Sequence, residues 1–139
     1  MTMVCFSNSM KTASQSVTQH FLLLTEKVLE LYKLVGKELP GKVAVKVHSG
    51  EKGNQNFLRP DFWKNIIDDI GGTVVECNTA YGGARNTSEK HRKLIAYHGW
   101  NHYFDVDLMD AEGPDLELAI PDGRKIRKNL VGKTLADYD

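Results

Sequence analysis

The segment PDFWKNIIDDIGGTVVE (residues 60–76) decides the fold of this chain. Its apolar residues recur at helical spacing from Phe62 to Ile70, and Pro60 favours a helix start at the first turn. Gly71 and Gly72 are typical of a helix end, and the valine-rich residues 73–76 then predict a strand. A helix that leads directly into a short apolar strand is typical of α/β proteins.

The residues before this segment extend the same alternation. Residues 42–47 (KVAVKV) predict a strand buried on at least one face. A long helix is expected before it, capped by Ser14 or Ser16 and ending at Leu39-Pro40-Gly41, because apolar residues recur every three or four positions from 17 to 35. Residues 3–6 predict a first short strand.

The residues after it predict one more helix, one more strand and a hairpin. Thr87 or Ser88 caps a helix that Gly99 closes, and residues 104–109 form a fourth predicted strand. Residues 116–120 and 125–130 flank Pro121-Asp122-Gly123, which predicts a β-hairpin with a tight turn. We therefore expect a single α/β domain over residues 1–139, three-layered and Rossmann-like, with a mostly parallel sheet and a C-terminal β-hairpin.

Composition excludes several classes of function. Eighteen basic residues balance eighteen acidic ones, so no global charge favours nucleic acid. The longest strongly apolar run, residues 21–24, is far too short to span a membrane, and residues 1–10 lack the features of a secretory signal, so a cytoplasmic protein is expected. Cys5 and Cys77 form no C-x-x-C pair, which leaves a disulfide scaffold or zinc knuckle unsupported.

Polar residues follow the predicted strands directly. In a parallel sheet, ligands bind beyond the C-terminal ends of the strands, where these loops meet. The predicted ligand-binding residues are Lys46, His48 and Glu51 after one strand, and Asn78, Tyr81 and Arg85 after the next. Glu76 and Asn78 share one face of their strand, where a strand-end hydrogen bond to backbone is an equal alternative to ligand contact.

A metal site is a second possibility at the same edge. His48, His91 and Asp110 carry side chains that bind metal ions, and they are the predicted metal ligands. An exposed loop histidine is an equally good interpretation of His48. No catalytic motif or phosphate-binding loop has the required spacing, so catalytic residues and cofactor stay unassigned.

Three blocks of this sequence together resemble a known family. They are residues 42–51, residues 75–83 with Arg85, Thr87 and His91, and residues 105–111. They look like the N-terminal portion of the bacterial iron-sulfur centre proteins that contain domain of unknown function 362. The resemblance implies that this chain is the N-terminal part of a larger family domain, and it implies no reaction. Residues 8–30 lie outside the resemblance.

Longer members of that family carry a histidine- and glycine-rich block and a ferredoxin-like cysteine-rich segment further on. This chain has neither, so no iron-sulfur cluster is expected from it alone. Three hypotheses follow: a domain that binds a small molecule or metal ion, an inactive fragment of a redox or metal-dependent enzyme, or a self-association module that forms a homo-oligomer through an uncovered sheet edge.

Overall fold

The computed structural model describes residues 7–112 and 115–139, with side chains from residue 19 onward. The chain divides into two compact units, Met1–Lys37 and Glu38–Asp139. The first contains helix α1 (Ser7–Val35), which confirms the predicted long helix although it begins earlier than the serine caps suggested. The strand predicted at residues 3–6 lies outside the described residues. Within the described part, no helix has the length and apolar character needed to span a membrane.

The second unit is built around a three-stranded parallel sheet. Its strands are β1 (Ala44–Lys46), β2 (Thr73–Glu76) and β3 (Val106–Leu108), in the order β1-β2-β3. Helix α2 (Pro60–Ile70) connects β1 to β2, and α3 (Ser88–Tyr97) connects β2 to β3. The predicted mixed α/β class, with its parallel sheet and helical crossovers, is therefore confirmed.

Local sequence signals set the ends of both crossover helices. Pro60 occupies the first turn of α2, and Gly71 ends the helix in the left-handed region with φ 61°. The Thr87 side chain caps α3 by accepting a hydrogen bond from the backbone N–H of Lys90. These are the start and stop signals that the sequence predicted.

One face of the sheet packs against both crossover helices. Val74 and Val106 lie in register on this face, and they share a core cluster with Ile67 of α2 and Ile95 of α3. Trp100, in a 3₁₀ turn (Trp100–His102) after α3, completes this cluster and is fully buried. The chain moves across the sheet in one direction, from β1 to β2 to β3. Right-handed crossover connections that all run in one direction place their helices on the same face of the sheet, as observed here.

The C-terminal segment lies on the opposite face of the sheet. Its 3₁₀ helix (Lys133–Asp137) places the Thr134 and Tyr138 hydroxyls 2.8 Å and 2.9 Å from Asp107 Oδ2, to which both donate. The backbone N–H of Asp139 donates to the carbonyl of Lys42 at the start of β1. The segment therefore crosses the sheet from β3 to β1.

The predicted C-terminal hairpin is present, with a longer connection than expected. Strands β4 (Leu116–Ala119) and β5 (Lys128–Val131) pair antiparallel. A tight turn does form at Pro121-Asp122-Gly123, where the Gly123 N–H donates to the Ile120 carbonyl and Asp122 has φ 58°. The predicted strand over residues 125–130 is wrong in its first half, since regular pairing begins only at Lys128.

Candidate functional site

The C-terminal ends of the three parallel strands lie side by side. The register pairs Lys46 of β1 with Val75 of β2, and Glu76 of β2 with Leu108 of β3. The loops that follow these strands therefore begin at one edge of the sheet, which we call the strand-end edge. All six predicted ligand-binding residues belong to this edge or to its loops.

Glu76 is the centre of the polar network at the strand-end edge. Glu76 is only 1% exposed, yet its carboxylate accepts hydrogen bonds from four donors. Oε1 accepts from the backbone N–H of Ser49 at 2.9 Å and from Arg85 Nη1 at 3.2 Å. Oε2 accepts from Lys46 Nζ at 2.5 Å and from the backbone N–H of Cys77 at 3.2 Å.

These contacts keep the buried carboxylate charged. Burial by itself raises the pKa of Glu76, but the hydrogen bond from Lys46, the backbone N–H of Ser49 and the positive charge of Lys46 together hold the pKa below its usual value. A buried charge with this many donors is compensated rather than isolated. The network therefore ties β1 and β2 together through an ionised group.

Arg85 links Glu76 to the outer part of the edge. Its Nε donates to Glu51 Oε1 at 2.6 Å, and its Nη2 donates to the Tyr81 hydroxyl at 3.1 Å. The Tyr81 hydroxyl in turn lies 3.4 Å from Glu51 Oε1. Three predicted ligand-binding residues, Glu51, Tyr81 and Arg85, are thus brought together around one buried guanidinium.

His91 connects the loops through both ring nitrogens. Nδ1 lies 3.2 Å from Asn78 Oδ1, and Nε2 lies 3.0 Å from Ser49 Oγ. Because Asn78 Nδ2 donates to Ser88 Oγ, its Oδ1 is the acceptor, which assigns the proton to Nδ1 and leaves Nε2 to accept from the Ser49 hydroxyl. Burial lowers the pKa of His91, so the ring is neutral near pH 7.

The order Ser49, His91, Asn78 matches that of a nucleophile, a general base and an orienting group. However, Ser49 is 0% exposed, and its carbonyl accepts from His98 Nδ1 and Trp100 Nε1. No substrate reaches a hydroxyl enclosed in this way. The arrangement therefore joins the loops to α3 and presents no accessible nucleophile.

His48 and Lys46 face outward at the same edge. His48 is exposed, and its Nδ1 accepts from the backbone N–H of Gly50 at 3.0 Å, so the neutral ring carries its proton on Nε2. The Lys46 side chain is 56% exposed although its ammonium pairs with Glu76. Both side chains present N–H donors to solvent.

The predicted metal ligands are not assembled into a cluster. Both nitrogens of His91 are engaged, and both carboxylate oxygens of Asp110 accept from the backbone N–H of Asn78. Across residues 7–112 and 115–139, no three His, Cys, Asp or Glu side chains are placed to hold a metal ion. The set His48, His91 and Asp110 therefore gains no support from this geometry.

Ser49 and Glu76 were not among the predicted ligand-binding or metal-binding residues, yet they lie at the centre of the polar network. A signal for Glu76 was present, since an acidic residue ending an apolar strand is unusual, and its contacts with the backbone N–H groups of Ser49 and Cys77 match the strand-end alternative. Ser49 carried no such signal, because a serine after a strand is common in turns.

Comparison with family models gives a match over most of the chain. The family described as domain of unknown function (DUF362) matches residues 43–139. Comparison with curated proteins gives no match, and comparison with solved structures gives none either. The matched region includes the three-stranded sheet and every loop of the strand-end edge.

Proposed function

The chain belongs to the DUF362 family, and we propose that it binds a small ligand bearing a carboxylate or phosphate group at the strand-end edge. The description of the family assigns no activity, and the proposal is supported by the side chains of this chain. Lys46, His48 and Tyr81 are the groups that contact the ligand in this proposal. Glu51 and Arg85 position the Tyr81 hydroxyl, and Asn78 orients the buried His91 ring beneath the edge.

The concentration of buried polar groups at this edge is the observation that carries the proposal. Among the described residues five polar side chains are buried, and four of them, Ser49, Glu76, Arg85 and His91, lie here. No buried side-chain nitrogen or oxygen in the described part of the chain lacks a hydrogen-bond partner. Burying and pairing four such groups costs more free energy than burying apolar side chains. Such buried polar groups are common where a protein positions side chains for a ligand.

The hydrogen-bonding capacity left at the surface favours an anionic ligand. The Lys46 ammonium has three N–H groups, of which Glu76 and the Val47 carbonyl take two. The Nε2–H of His48 points away from its bond to Gly50. By contrast, the carboxylates of Glu51, Glu76 and Asp110 already accept from Arg85, Lys46 and Asn78. The surface thus offers donors to a ligand that supplies acceptors.

A thermal-shift screen tests this proposal. It measures the melting temperature in inorganic phosphate, acetate and citrate, and compares each with chloride at equal ionic strength. An anion at a hundred times its dissociation constant adds about 2.7 kcal/mol to the free energy of unfolding. We expect a saturable rise in melting temperature for at least one of these anions, and its loss in His48→Ala. His102→Ala is the matched control, because His102 is exposed in the 3₁₀ turn after α3.

Two outcomes would overturn the proposal. The first is that no anion in the panel stabilises the protein beyond chloride, or that His48→Ala responds like the wild type. The second is that Zn²⁺, Mn²⁺ or Mg²⁺ stabilises the protein and Asp110→Asn abolishes that effect, which would replace the anion by the metal alternative.

A further inference from the structure

A small cavity lies on the outer side of helix α3, beside the loops of the strand-end edge. Its volume is about 280 Å³, and we call it the lysine pocket. One wall comes from α3 and the other from the loops after β1 and β2. Its lining residues are Lys52, Ala84, Lys90, Lys93, Leu94 and Tyr97.

The helix spacing explains why one side of α3 forms this wall. Lys90, Lys93, Leu94 and Tyr97 recur at intervals of three and four residues, which places them on a single stripe. His91 and Ile95 point instead into the core, where both are buried. The sequence of α3 therefore supplies a core face with His91 and Ile95, and a stripe on which Leu94 is buried while Lys90, Lys93 and Tyr97 are exposed.

The floor of the lysine pocket is apolar. Leu94 is buried and Ala84 is partly buried, whereas Tyr97 is 78% exposed and lines a side of the cavity. Lysine side chains commonly cover apolar surface with their aliphatic stems while their ammonium groups stay in water. This arrangement suits a ring-sized apolar group, since the volume is at the lower end of small-molecule sites.

The rim of the lysine pocket carries an excess of positive charge. Lys93 pairs with Glu89 at 2.6 Å, but both side chains are about three-quarters exposed, so the pair is weak. Lys90 Nζ donates to the neutral side chain of Asn86. Lys52 makes no ion pair with any residue in the described part of the chain. In the described part of the chain, one of these three lysines therefore pairs with a carboxylate.

We infer that the lysine pocket is a second binding site, for a small aromatic anion whose ring lies against Leu94 and Tyr97 while its sulfonate, carboxylate or phosphate group meets the lysines. The lysine pocket shares no residue with the proposed anion contacts Lys46, His48 and Tyr81, so binding in the pocket does not require them. The apolar floor and the charged rim must both contribute to binding.

Two fluorescent probes separate these contributions. The anionic probe is 1-anilinonaphthalene-8-sulfonate, and N-phenyl-1-naphthylamine is its uncharged counterpart. We expect the double variant Lys52→Gln/Lys93→Gln to weaken binding of the anionic probe roughly three- to tenfold and to leave the uncharged probe unchanged, because each exposed charge contributes up to about a fivefold effect. Added salt should weaken only the anionic probe.

The controls keep the test decisive. Tyr97→Ser removes a wall of the cavity and should weaken both probes, while Lys128→Gln, on the hairpin and paired with Glu117, should affect neither. All of these side chains are exposed, so circular dichroism should record an unchanged fold. Equal binding of the anionic probe to the wild type and the double lysine variant would overturn the inference, as would an equal loss for both probes in that variant.

Discussion

Single residues at the strand-end edge have structural duties that their types alone do not reveal. His91 is fully buried on α3, and its two ring nitrogens join the buried Ser49 to the half-buried Asn78. Glu76 is a carboxylate that receives two backbone N–H groups and two cations. In both cases the side chain holds loops together, and the groups of the proposed anion site lie further out.

Removal of the His91 ring should destabilise the fold substantially. His91→Ala leaves a cavity and removes the partners of Ser49 Oγ and Asn78 Oδ1, so we expect a loss of about 2–4 kcal/mol in the free energy of unfolding. Urea denaturation followed by circular dichroism measures this loss. Arg92→Ala, at the next and exposed position, should change stability by less than about 0.5 kcal/mol. Similar losses in the two variants would contradict the role assigned to His91.

Stability should also depend on the titration of His91. Burial lowers its pKa in the folded state below the ordinary value of 6.5. As the pH falls through 6.5, the unfolded chain therefore takes up a proton before the folded chain does. Between pH 6.5 and the pKa of His91 in the folded state, the free energy of unfolding falls by up to about 1.4 kcal/mol per pH unit. His91→Gln should flatten this decline between pH 7 and pH 5. Parallel stability curves for the two proteins would exclude His91 as its source.

At the scale of elements, the C-terminal segment depends on close contact with β3. A Cβ atom added at Gly132 would lie 2.6 Å from Met109 Cβ and 2.7 Å from the Met109 carbonyl carbon. The backbone conformation of Gly132 is ordinary, with φ −56°, so glycine is needed there for space rather than for flexibility. This approach allows the N–H of Thr134 to reach the Met109 carbonyl at 3.2 Å.

A methyl group at this position should displace the C-terminal segment from β3. We expect Gly132→Ala to cost about 1–3 kcal/mol in the free energy of unfolding, because neither the Met109 backbone nor the segment yields easily. Gly82→Ala is the matched control, since a Cβ atom there meets no atom within 4 Å. If chemical denaturation gave equal stabilities for the two alanine variants, the close contact would not be a constraint on the fold.

At the scale of the whole molecule, the core belongs to the second unit. Every buried hydrophobic side chain that the structure describes lies between Val43 and Met109. The family match covers residues 43–139, which is nearly the same span. A unit of about 100 residues is large enough to bury a core of its own.

The predicted homo-oligomer stays a prediction, which light scattering over a concentration series would test.

The second unit should therefore fold without the first. We expect a protein comprising residues 38–139 to unfold cooperatively, with a melting temperature within about 5 °C of that of the full chain. For a domain of this size, a loss of about 1 kcal/mol in the free energy of unfolding lowers the melting temperature by about that amount. Differential scanning calorimetry of both proteins makes the comparison. A gradual, non-cooperative transition in the shorter protein would mean that residues 1–37 contribute to its core.

Local patterns determined most of the elements of this protein. Helix α2 and strand β2 have the bounds predicted from proline, the glycine pair and the valine-rich run, because these signals act over a few neighbouring residues. The parallel arrangement also followed from the order of elements, since helical crossovers connect parallel strands. For the same reason, the sequence predicted that polar residues after the strands would gather at one edge.

Only the tertiary structure decided which of those polar residues are buried and which stay exposed. Ser49 meets Glu76 across 27 positions of the chain and His91 across 42, and no local pattern encodes such pairings. The fold therefore turned His91 into a neutral buried connector and left Lys46 and His48 outward. The physical reason is that burial and hydrogen-bond partners depend on the packing of distant segments, whereas helix and strand preferences depend on near neighbours.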